Sequence, residues 1–297
     1  MNSRRTENVK NKKSIVCFVI LVIILSCIVD FLIAKGASDY LYPILMWMPA
    51  LAALIASIVT LKENGEKITF RSVSGLCGFH KCKWRYIFMG MLVPLIYLAI
   101  PYAIYWIVFP GSLSTNATSV GGALIGVAIA IVLGNILSLL TALGEEIGWR
   151  GFWVPRMEEA FGVRNALAVT SIFWCLWHFP LIIFDDYMTG TPLWYNLLAF
   201  ALCIFPVGVI AGILSLKSKS VWPSAMLHAA HNNYDQIILA PRTIGDNKMF
   251  FVSETGLLTI LFAWIIAILM YIRFKADLSR ENPANSDETD ASSSIRP

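Results

Sequence analysis

The sequence predicts an all-α protein, a polytopic membrane bundle of about eight transmembrane helices. Composition supports this class, because the 297-residue chain is 57% hydrophobic and only 14% charged, whereas soluble domains carry about 25% charged residues. Length supports it as well, since apolar runs of about 20 residues recur, and each can span a hydrocarbon core roughly 30 Å thick. In lipid a segment must satisfy its own backbone hydrogen bonds, so these runs are predicted to be helices.

Eight apolar runs have the required length. In chain order they cover 14–34, 41–61, 86–109, 122–144, 165–184, 193–216, 221–240 and 256–274. The first run is too long for a signal peptide and no small-residue cleavage site follows it, so we interpret it as an uncleaved helix. Interior prolines predict kinks in the second, third and sixth helices.

The eight runs form one predicted domain over residues 14–280. A basic cytoplasmic tail at 1–13 precedes this domain. A polar tail at 281–297, rich in Ser and Asp and without large apolar groups, follows it and is predicted to be disordered.

Positive charges predict the orientation of the bundle. Of the 23 Lys and Arg residues, 20 fall at one face and only Lys35, Arg242 and Lys248 at the other. Cytoplasmic loops carry the excess of Lys and Arg, so we expect a multi-pass protein of the cell membrane with both termini in the cytoplasm. Anionic lipid heads account for the net charge of +4, and no nucleic-acid partner is expected.

The connection 145–164 between the fourth and fifth helices has a mixed composition. It contains Trp149, Trp153, Arg156 and Glu158. Aromatic and charged residues together are typical of a helix in the membrane interface. We therefore expect this connection to lie along the membrane surface.

Three ionisable residues stand at the end of the fourth helix: Glu145, Glu146 and Arg150. Ionisable groups at membrane depth are expensive to bury and usually mark a site of function. On a helix Glu146 and Arg150 share a face, so they are predicted to form an ion pair. Glu145 is turned about 100° away from Glu146, which leaves it free to face a cavity as a general base. The alternative is a solvated turn that simply ends the helix.

Histidines stand in two later helices. His178 follows Trp174 by one turn in the fifth helix, and His228 and Asn232 are four residues apart in the seventh. Taken singly, a histidine among aromatic residues is most often a core residue. His228 and Asn232, however, can both donate toward one point, which is what a developing oxyanion requires. With Glu145 these groups predict a water-activating hydrolase around a polar cavity that faces the cytoplasm.

The depths of these residues conflict in straight helices. At about 1.5 Å per residue, His178 lies roughly 20 Å from the cytoplasmic start of its helix and His228 roughly 10 Å from the start of its own. Glu145, however, is near the cytoplasmic end of the fourth helix. Convergence therefore requires the fifth helix to begin outside the core or to tilt, and the fourth to start late.

The same residues resemble the motif series of the CPBP (Abi) family, which contains CAAX prenyl proteases and bacteriocin-processing enzymes. The EExxxR motif corresponds to Glu145, Glu146 and Arg150, the aromatic-xxx-His motif to Trp174 and His178, and the HxxxN motif to His228 and Asn232. Phe is usual at the aromatic position, so the tryptophan is a mild departure. The match covers about 145–232, and the helix count extends it over most of the chain.

The resemblance implies a glutamate-dependent intramembrane endopeptidase, similar to the type II CAAX prenyl protease. The catalytic residues it implies are Glu145, which activates a water, His178, which assists, and His228 and Asn232, which hold the oxyanion. The residues it implies as site support are Glu146, Arg150 and Trp174. No cofactor is needed for this mechanism.

A zinc enzyme is the alternative mechanism, with Glu145, His178 and His228 as ligands and one position left for water. The metal-free mechanism is favoured, because no HExxH-like pair of ligands lies on one helix. In either case we expect two partners. One is the lipid bilayer, and the other is a CAAX-like or leader/bacteriocin-type peptide or protein at the cytoplasmic side, with or without a lipid anchor.

Three other functions stay open at this stage. A non-catalytic bacteriocin-immunity protein or membrane scaffold would bind a partner through the same pocket. A transporter would use Glu145 and His178 as a proton relay, but the inverted repeats typical of transporters are not found in the sequence. A cysteine protease would pair Cys175 with His178.

Overall fold

The protein is all-helical in the computed structural model, which confirms the predicted class. The structure describes residues 2–114, 120–185, 187 and 190–281, and these ranges contain no strand beyond an isolated bridge between Leu113 and Thr243. The α-helices of the described chain are α1 (Asn2–Ala34), α2 (Leu41–Glu63), α3 (Phe70–Leu76), α4 (Trp84–Val108), α5 (Val120–Glu146), α6 (Val154–Phe184), α7 (Leu193–Ser218), α8 (Trp222–Asn232), α9 (Lys248–Phe251) and α10 (Leu257–Glu281).

Two of these helices continue into π-helical segments. Segment π1 (Ile147–Trp153) joins α5 directly to α6, and π2 (Asn233–Leu239) continues α8. Helix α6 changes direction at Gly162, where φ is 79° and ψ is 162°, a conformation that glycine adopts without steric cost. Single π-helical turns inside α-helices are frequent at functional sites, and both segments lie next to the residues singled out in the sequence.

Six described stretches are long and apolar enough to cross a membrane: Lys12–Ala34, Leu41–Glu63, Trp84–Val108, Ile125–Phe184, Leu193–Ser218 and Leu257–Leu278. The fourth stretch contains the fifth predicted segment and all but the first three residues of the fourth. The seventh predicted segment corresponds to α8 with π2, which is not among the six. A multi-pass membrane protein is therefore confirmed, whereas the count of eight crossings stays a prediction.

The structure describes the predicted N-terminal tail from its second residue on, but only the first residue of the predicted C-terminal tail. Helix α1 begins at Asn2, so the basic segment 1–13 is helical from its second residue. The C-terminal tail predicted at 281–297 lies outside the described residues, apart from Glu281, the last residue of α10.

Helix α8 is central in the bundle, since it packs against α4, α5 and α7 and is buried along most of its length. Helix α6 packs on α7 and α1, and α1 also packs on α2. The outer faces carry exposed apolar side chains, for example Ile24 on α1, Leu137 on α5 and Leu269 on α10. Such faces are suited to contact with lipid, and many polar side chains are buried in the interior instead.

The prediction that 145–164 lies along the membrane surface is wrong for its first half. Every residue of π1 is buried, and Trp149 packs edge-on against Phe18 of α1. Close packing is possible because glycines face the neighbouring backbone: a Cβ on Gly148 would stand 2.5 Å from Pro49, and one on Gly151 would stand 2.1 Å from the carbonyl oxygen of Cys77. The chain thus enters the core where its composition is typical of an interface.

Candidate active site

The end of α5 holds one buried ion pair and one separate carboxylate. The Arg150 Nη1 donates to Oε1 of Glu146 at 2.7 Å, and both side chains are fully buried. The predicted ion pair between these two residues is therefore present. Glu145 is 1% exposed and, one residue earlier on the helix, turns to a different partner.

That partner is Trp174 in the middle of α6. Its indole Nε1 donates to Glu145 Oε2 at 2.7 Å, and the Arg150 guanidinium stacks over its ring at 4.1 Å from the centroid. A buried tryptophan needs an acceptor for its N–H, and a cation over its face adds an electrostatic attraction. One aromatic side chain thus contacts two of the three charged groups of the EExxxR motif, Glu145 and Arg150.

His178 lies one turn beyond Trp174 on the same face of α6. Its Nδ1 is 2.8 Å from the carbonyl oxygen of Trp174. Because a carbonyl can only accept, Nδ1 carries the proton, and in the neutral ring Nε2 is left as an acceptor. Trp177 and Phe200 pack against the imidazole, so the ring orientation is fixed by both contact and hydrogen bond.

His228 on α8 approaches the site from the opposite side. Its Nδ1 is 3.1 Å from Glu146 Oε1, the same oxygen that accepts from Arg150. The imidazole also packs edge-on against Trp174, with 5.3 Å between ring centroids. Asn232 follows one turn later on α8 and is half-buried.

These side chains meet around one cavity of about 240 Å³. The predicted residues that line it are Glu145, Trp174, His178, His228 and Asn232. Glu146 and Arg150 are not part of the lining and support it from behind, through Trp174 and His228. The apolar wall opposite comes from α2, α6 and α7. The structure therefore brings the four residues predicted as catalytic to one place, and their chemical roles stay predictions.

The connection between α5 and α6 meets one of the two conditions set by the conflict of depths, an early start of the fifth helix; the other is not met, since α5 begins at Val120 and not late. Helix α6 begins at Val154 and turns at Gly162, well before the predicted start of the fifth segment at 165. Trp174 and His178 therefore stand in the middle of a long helix. Because α5 runs on through π1 without a break, Glu145 lies inside the bundle and not at a solvated end, and the alternative of a simple helix terminus is excluded.

The residues that line the cavity bear on the prediction that it faces the cytoplasm. Its lining includes Tyr42 in the first turn of α2 and Glu254 just before α10, next to loops that the charge count places on the non-cytoplasmic side. At the other end of the bundle the connection after α3 contacts the start of α8, since the Val221 N–H donates to the carbonyl of Gly78 at 2.9 Å. A cavity that faces the cytoplasm stays a prediction.

The donors in the cavity do not form a metal site as they stand. In the part of the chain that the structure describes, no three His, Cys, Asp or Glu side chains lie close enough together to hold one ion. Glu145, His178 and His228 have the chemistry of zinc ligands, but Glu145 already accepts from Trp174 and His228 already contacts Glu146. These bonds use one oxygen of Glu145 and one ring nitrogen of His228, and the zinc alternative stays a prediction.

Cys175 is turned away from the cavity. Its Sγ lies 3.7 Å from the carbonyl oxygen of Ala201 in α7, and the side chain is not part of the lining. The arrangement gives no support to a cysteine nucleophile paired with His178.

Sequence reasoning missed a second carboxylate in the cavity. Glu254 is 2% exposed, lines the cavity, and its Oε1 is 2.9 Å from His231 Nε2. Tyr187 donates to its other oxygen at 3.2 Å. Glu254 stands between two apolar runs, where carboxylates are ordinary, so the sequence carries little signal for it. Asp235 could have pointed to this region of the chain, because it is a carboxylate inside the apolar run 221–240 and accepts from Ser253, the neighbour of Glu254.

The fold and the site together define the class: a multi-pass helical membrane protein that buries carboxylates and imidazoles around one cavity. A model of the type II CAAX prenyl endopeptidase Rce1-like family matches residues 126–234, the stretch that contains all the motif residues. The chain is also similar to CAAX prenyl protease 2 of Methanococcus maripaludis, with 30% identity over 238 residues that cover 76% of this chain and 81% of the relative. The protein belongs to the CAAX prenyl protease-like family of intramembrane endopeptidases, and the resemblance drawn from its motifs is confirmed.

Proposed function

We propose that this protein is an endopeptidase that hydrolyses peptide bonds of membrane-associated substrates, with Glu145 as the general base. One observation carries the proposal: the Glu145 carboxylate is held by Trp174 at 2.7 Å in the same cavity as His178, His228 and Asn232. A fixed carboxylate beside imidazoles is an arrangement that can activate water. The family of the chain points to the same reaction.

In the proposed reaction Glu145 takes a proton from a water molecule while the water oxygen attacks the peptide carbonyl carbon. The Nε2 of His178, an acceptor in the neutral ring, orients that water. His228 and Asn232 donate to the developing oxyanion. When the tetrahedral intermediate breaks its C–N bond, Glu145 returns the proton to the leaving nitrogen, so the products are a carboxylic acid, which then ionises in water, and an amine.

The role proposed for His228 requires a donor at Nε2. Since Nδ1 contacts the Glu146 carboxylate, Nδ1 carries one proton. Donation from Nε2 then requires the doubly protonated ring, which needs a counter-charge when buried. Glu145 and Glu146 supply two negative charges for the two positive charges of His228 and Arg150. Arg150 on the same oxygen keeps Glu146 itself from being an unpaired charge.

For the substrate we propose a peptide with a CAAX-like C-terminus, lipidated or not, presented at the cytoplasmic side of the membrane. The support is the similarity to a relative named CAAX prenyl protease 2, together with a cavity whose wall is largely apolar. Leader or bacteriocin-type peptides are the second substrate class, as the motif resemblance implies.

The test uses the purified protein in liposomes with a prenylated CAAX peptide and mass spectrometry of the products. Wild type should cleave, and Glu145→Gln should lose about 100- to 10,000-fold in kcat, the range for a lost general base. Glu66→Gln is the matched control, because Glu66 is exposed and lies outside the cavity. Cleavage by Glu145→Gln at the wild-type rate would exclude this carboxylate as the base.

A metal-free reaction is part of the proposal and has its own test. Dialysis against a strong zinc chelator should leave the rate unchanged, and added zinc should not raise it. A loss that zinc restores would instead support Glu145, His178 and His228 as ligands.

The non-catalytic alternative is separated by a phenotype in cells. A bacteriocin-immunity protein or scaffold would act through binding alone, so Glu145→Gln would keep the phenotype while wild-type protein cleaves nothing. Loss of the phenotype together with loss of cleavage supports the endopeptidase.

A further inference from the structure

Three tyrosines on α4 are buried, and two of them bind the central stretch formed by α8 and π2. The Tyr97 hydroxyl is 3.0 Å from His231 Nδ1, and the Tyr102 hydroxyl donates to Asp235 Oδ1 at 2.8 Å. Tyr105, one turn after Tyr102, donates instead to Asn247 Oδ1 at 2.6 Å. The first two hydroxyls thus hold α8 and π2, and the third does not.

The same two residues are held from a second side. His231 Nε2 is 2.9 Å from Glu254 Oε1, and the Ser253 hydroxyl donates to Asp235 Oδ2 at 2.6 Å. Two adjacent residues before α10 therefore bind two residues that are four apart on the α8–π2 stretch. The backbone of Ser253 has φ 67°, a conformation that a residue with a side chain keeps only when its surroundings hold it.

The hydrogen bonds of His231 have one consistent assignment. A carboxylate such as Glu254 can only accept unless protonated, so Nε2 carries the proton and donates to it. In the neutral ring Nδ1 is then an acceptor, and the Tyr97 hydroxyl donates to it. Both ring nitrogens are used, and the side chain is 2% exposed, so His231 has no freedom to rotate without leaving a buried group unpaired.

His231 lies between the two residues proposed to bind the oxyanion. It is three residues after His228 and directly before Asn232 on α8, a helix of 11 residues that passes straight into π2. A helix this short is not fixed by its own hydrogen bonds. Rotation or sliding of α8 would break four buried hydrogen bonds at once, those of Tyr97, Glu254, Tyr102 and Ser253.

We propose that these residues act as an α8 clamp, made of Tyr97, Tyr102, His231, Asp235, Ser253 and Glu254, which positions His228 and Asn232 for the oxyanion. The inference rests on the endopeptidase function proposed above and adds positioning residues that the family motifs do not contain. None of the six needs to touch the reacting atoms. Their effect is on the transition state, because the oxyanion contacts form only there.

The experiment compares three substitutions on one helix. Tyr97→Phe and Tyr102→Phe each remove one clamp hydroxyl and keep the ring, whereas Tyr105→Phe removes a hydroxyl that binds Asn247 and is the matched control. We expect each clamp variant to lose about 10- to 100-fold in kcat with KM unchanged within about twofold, since a misplacement near 1 Å can cost about 100-fold. Tyr105→Phe should cleave like wild type.

A second pair of variants tests whether the hydrogen bond or only the packing matters. Glu254→Gln keeps an oxygen that can accept from His231 and should stay within about threefold of the wild-type kcat, whereas Glu254→Ala should lose about 10- to 100-fold. Rescue by the amide is not expected if Glu254 acts through its charge. Glu254→Met fills the same space but cannot accept from His231 Nε2, so it should lose as much kcat as Glu254→Ala if the hydrogen bond matters and none if Glu254 only fills space. Thermal melting of each purified variant shows that the protein measured is folded.

The outcomes separate the clamp from the function it rests on. If wild type fails to cleave, or Glu145→Gln still cleaves, the endopeptidase proposal fails. If wild type cleaves, Glu145→Gln does not, and Tyr97→Phe and Glu254→Ala keep the wild-type kcat, the clamp alone is overturned. The clamp is equally overturned if Tyr105→Phe loses as much kcat as Tyr97→Phe.

Discussion

At the scale of single residues, Trp174 connects the Glu145 carboxylate with the Arg150 guanidinium. It donates to Glu145 and its ring receives the Arg150 guanidinium, while its carbonyl fixes His178. Phenylalanine, usual at this position in the family, can stack with the cation but cannot donate. The tryptophan therefore adds one hydrogen bond that a phenylalanine could not make.

Trp174→Phe tests the value of that hydrogen bond. A hydrogen bond to a charged group contributes about 1.5–3 kcal/mol, but the ring that packs on Arg150 and His228 is kept. We expect kcat to fall about tenfold, much less than in Glu145→Gln, in the same peptide-cleavage assay. A loss as large as that of Glu145→Gln would mean that the indole N–H takes a direct part in the reaction.

Arg150 tests the buried ion pair, and the chain offers an exposed pair of the same spacing as control. Arg150→Ala leaves Glu146 buried without its main counter-charge, which should lower the free energy of unfolding by about 3–5 kcal/mol. Arg273→Ala breaks the pair with Asp277, in which the arginine is 70% exposed, and should change it by at most about 1 kcal/mol. Thermal melting and denaturant unfolding in detergent measure both, and equal losses would contradict the argument.

The site was predictable at this scale where a polar residue stands alone in an apolar run. His178 and His228 met that condition, Glu145 stood with Glu146 and Arg150 at the end of a run, and the cavity contains all three. Tyr97 and Glu254 did not meet it: a tyrosine is ordinary inside a membrane helix, and Glu254 lies between two runs. Their importance depends on contacts between α4, α8 and the segment before α10, which no single stretch of sequence encodes.

At the scale of elements, the unbroken path from α5 through π1 to α6 positions the site. The apolar runs predicted as segments four and five both fall in this path. Hydropathy could not predict that the first half of the polar connection between them is buried, because its charge is neutralised only in the folded chain, by the pair of Arg150 with Glu146. Nor does the apolar pattern distinguish a π-helical turn from an α-helical one.

Gly148→Ala tests the close approach of π1 to α2. The added Cβ would meet Pro49 at 2.5 Å, and overpacking of this kind costs about 1–3 kcal/mol. Gly126→Ala on α5 is the matched control, since nothing lies within 4 Å of its added Cβ, and alanine favours helix by about 1 kcal/mol over glycine. Melting in detergent should show a lower midpoint for the first variant and an equal or higher one for the second; the reverse order would contradict the packing described for π1.

At the scale of the whole molecule, the distribution of charge predicts the side of the termini, whereas the position of the cavity concerns the side of the membrane that it faces. With eight crossings, 20 of the 23 basic residues are predicted to lie at one face, which is the predicted side of the termini. The cavity lining reaches Tyr42 and Glu254 near the other face. The family membership of the chain does not by itself fix either side.

Cysteine labelling of intact cells tests the orientation. In a background without the six native cysteines, Asp39→Cys lies in the connection predicted outside and Lys67→Cys in the one predicted in the cytoplasm. A membrane-impermeant maleimide should label the first and not the second, because both termini are predicted to be cytoplasmic. Labelling of Lys67→Cys alone would reverse the orientation and place the termini outside.

One atom in the site has two partners in different parts of the chain: Glu146 Oε1 accepts from Arg150 and also contacts His228. Because a substitution of Glu146 would disturb both contacts, substitutions meant to change substrate selectivity should be made elsewhere. The apolar wall formed by Leu45, Leu181 and Ile204 is such a place. A library confined to that wall could change which peptides are accommodated while the shared oxygen stays intact, which makes it the natural starting point for engineering this protein.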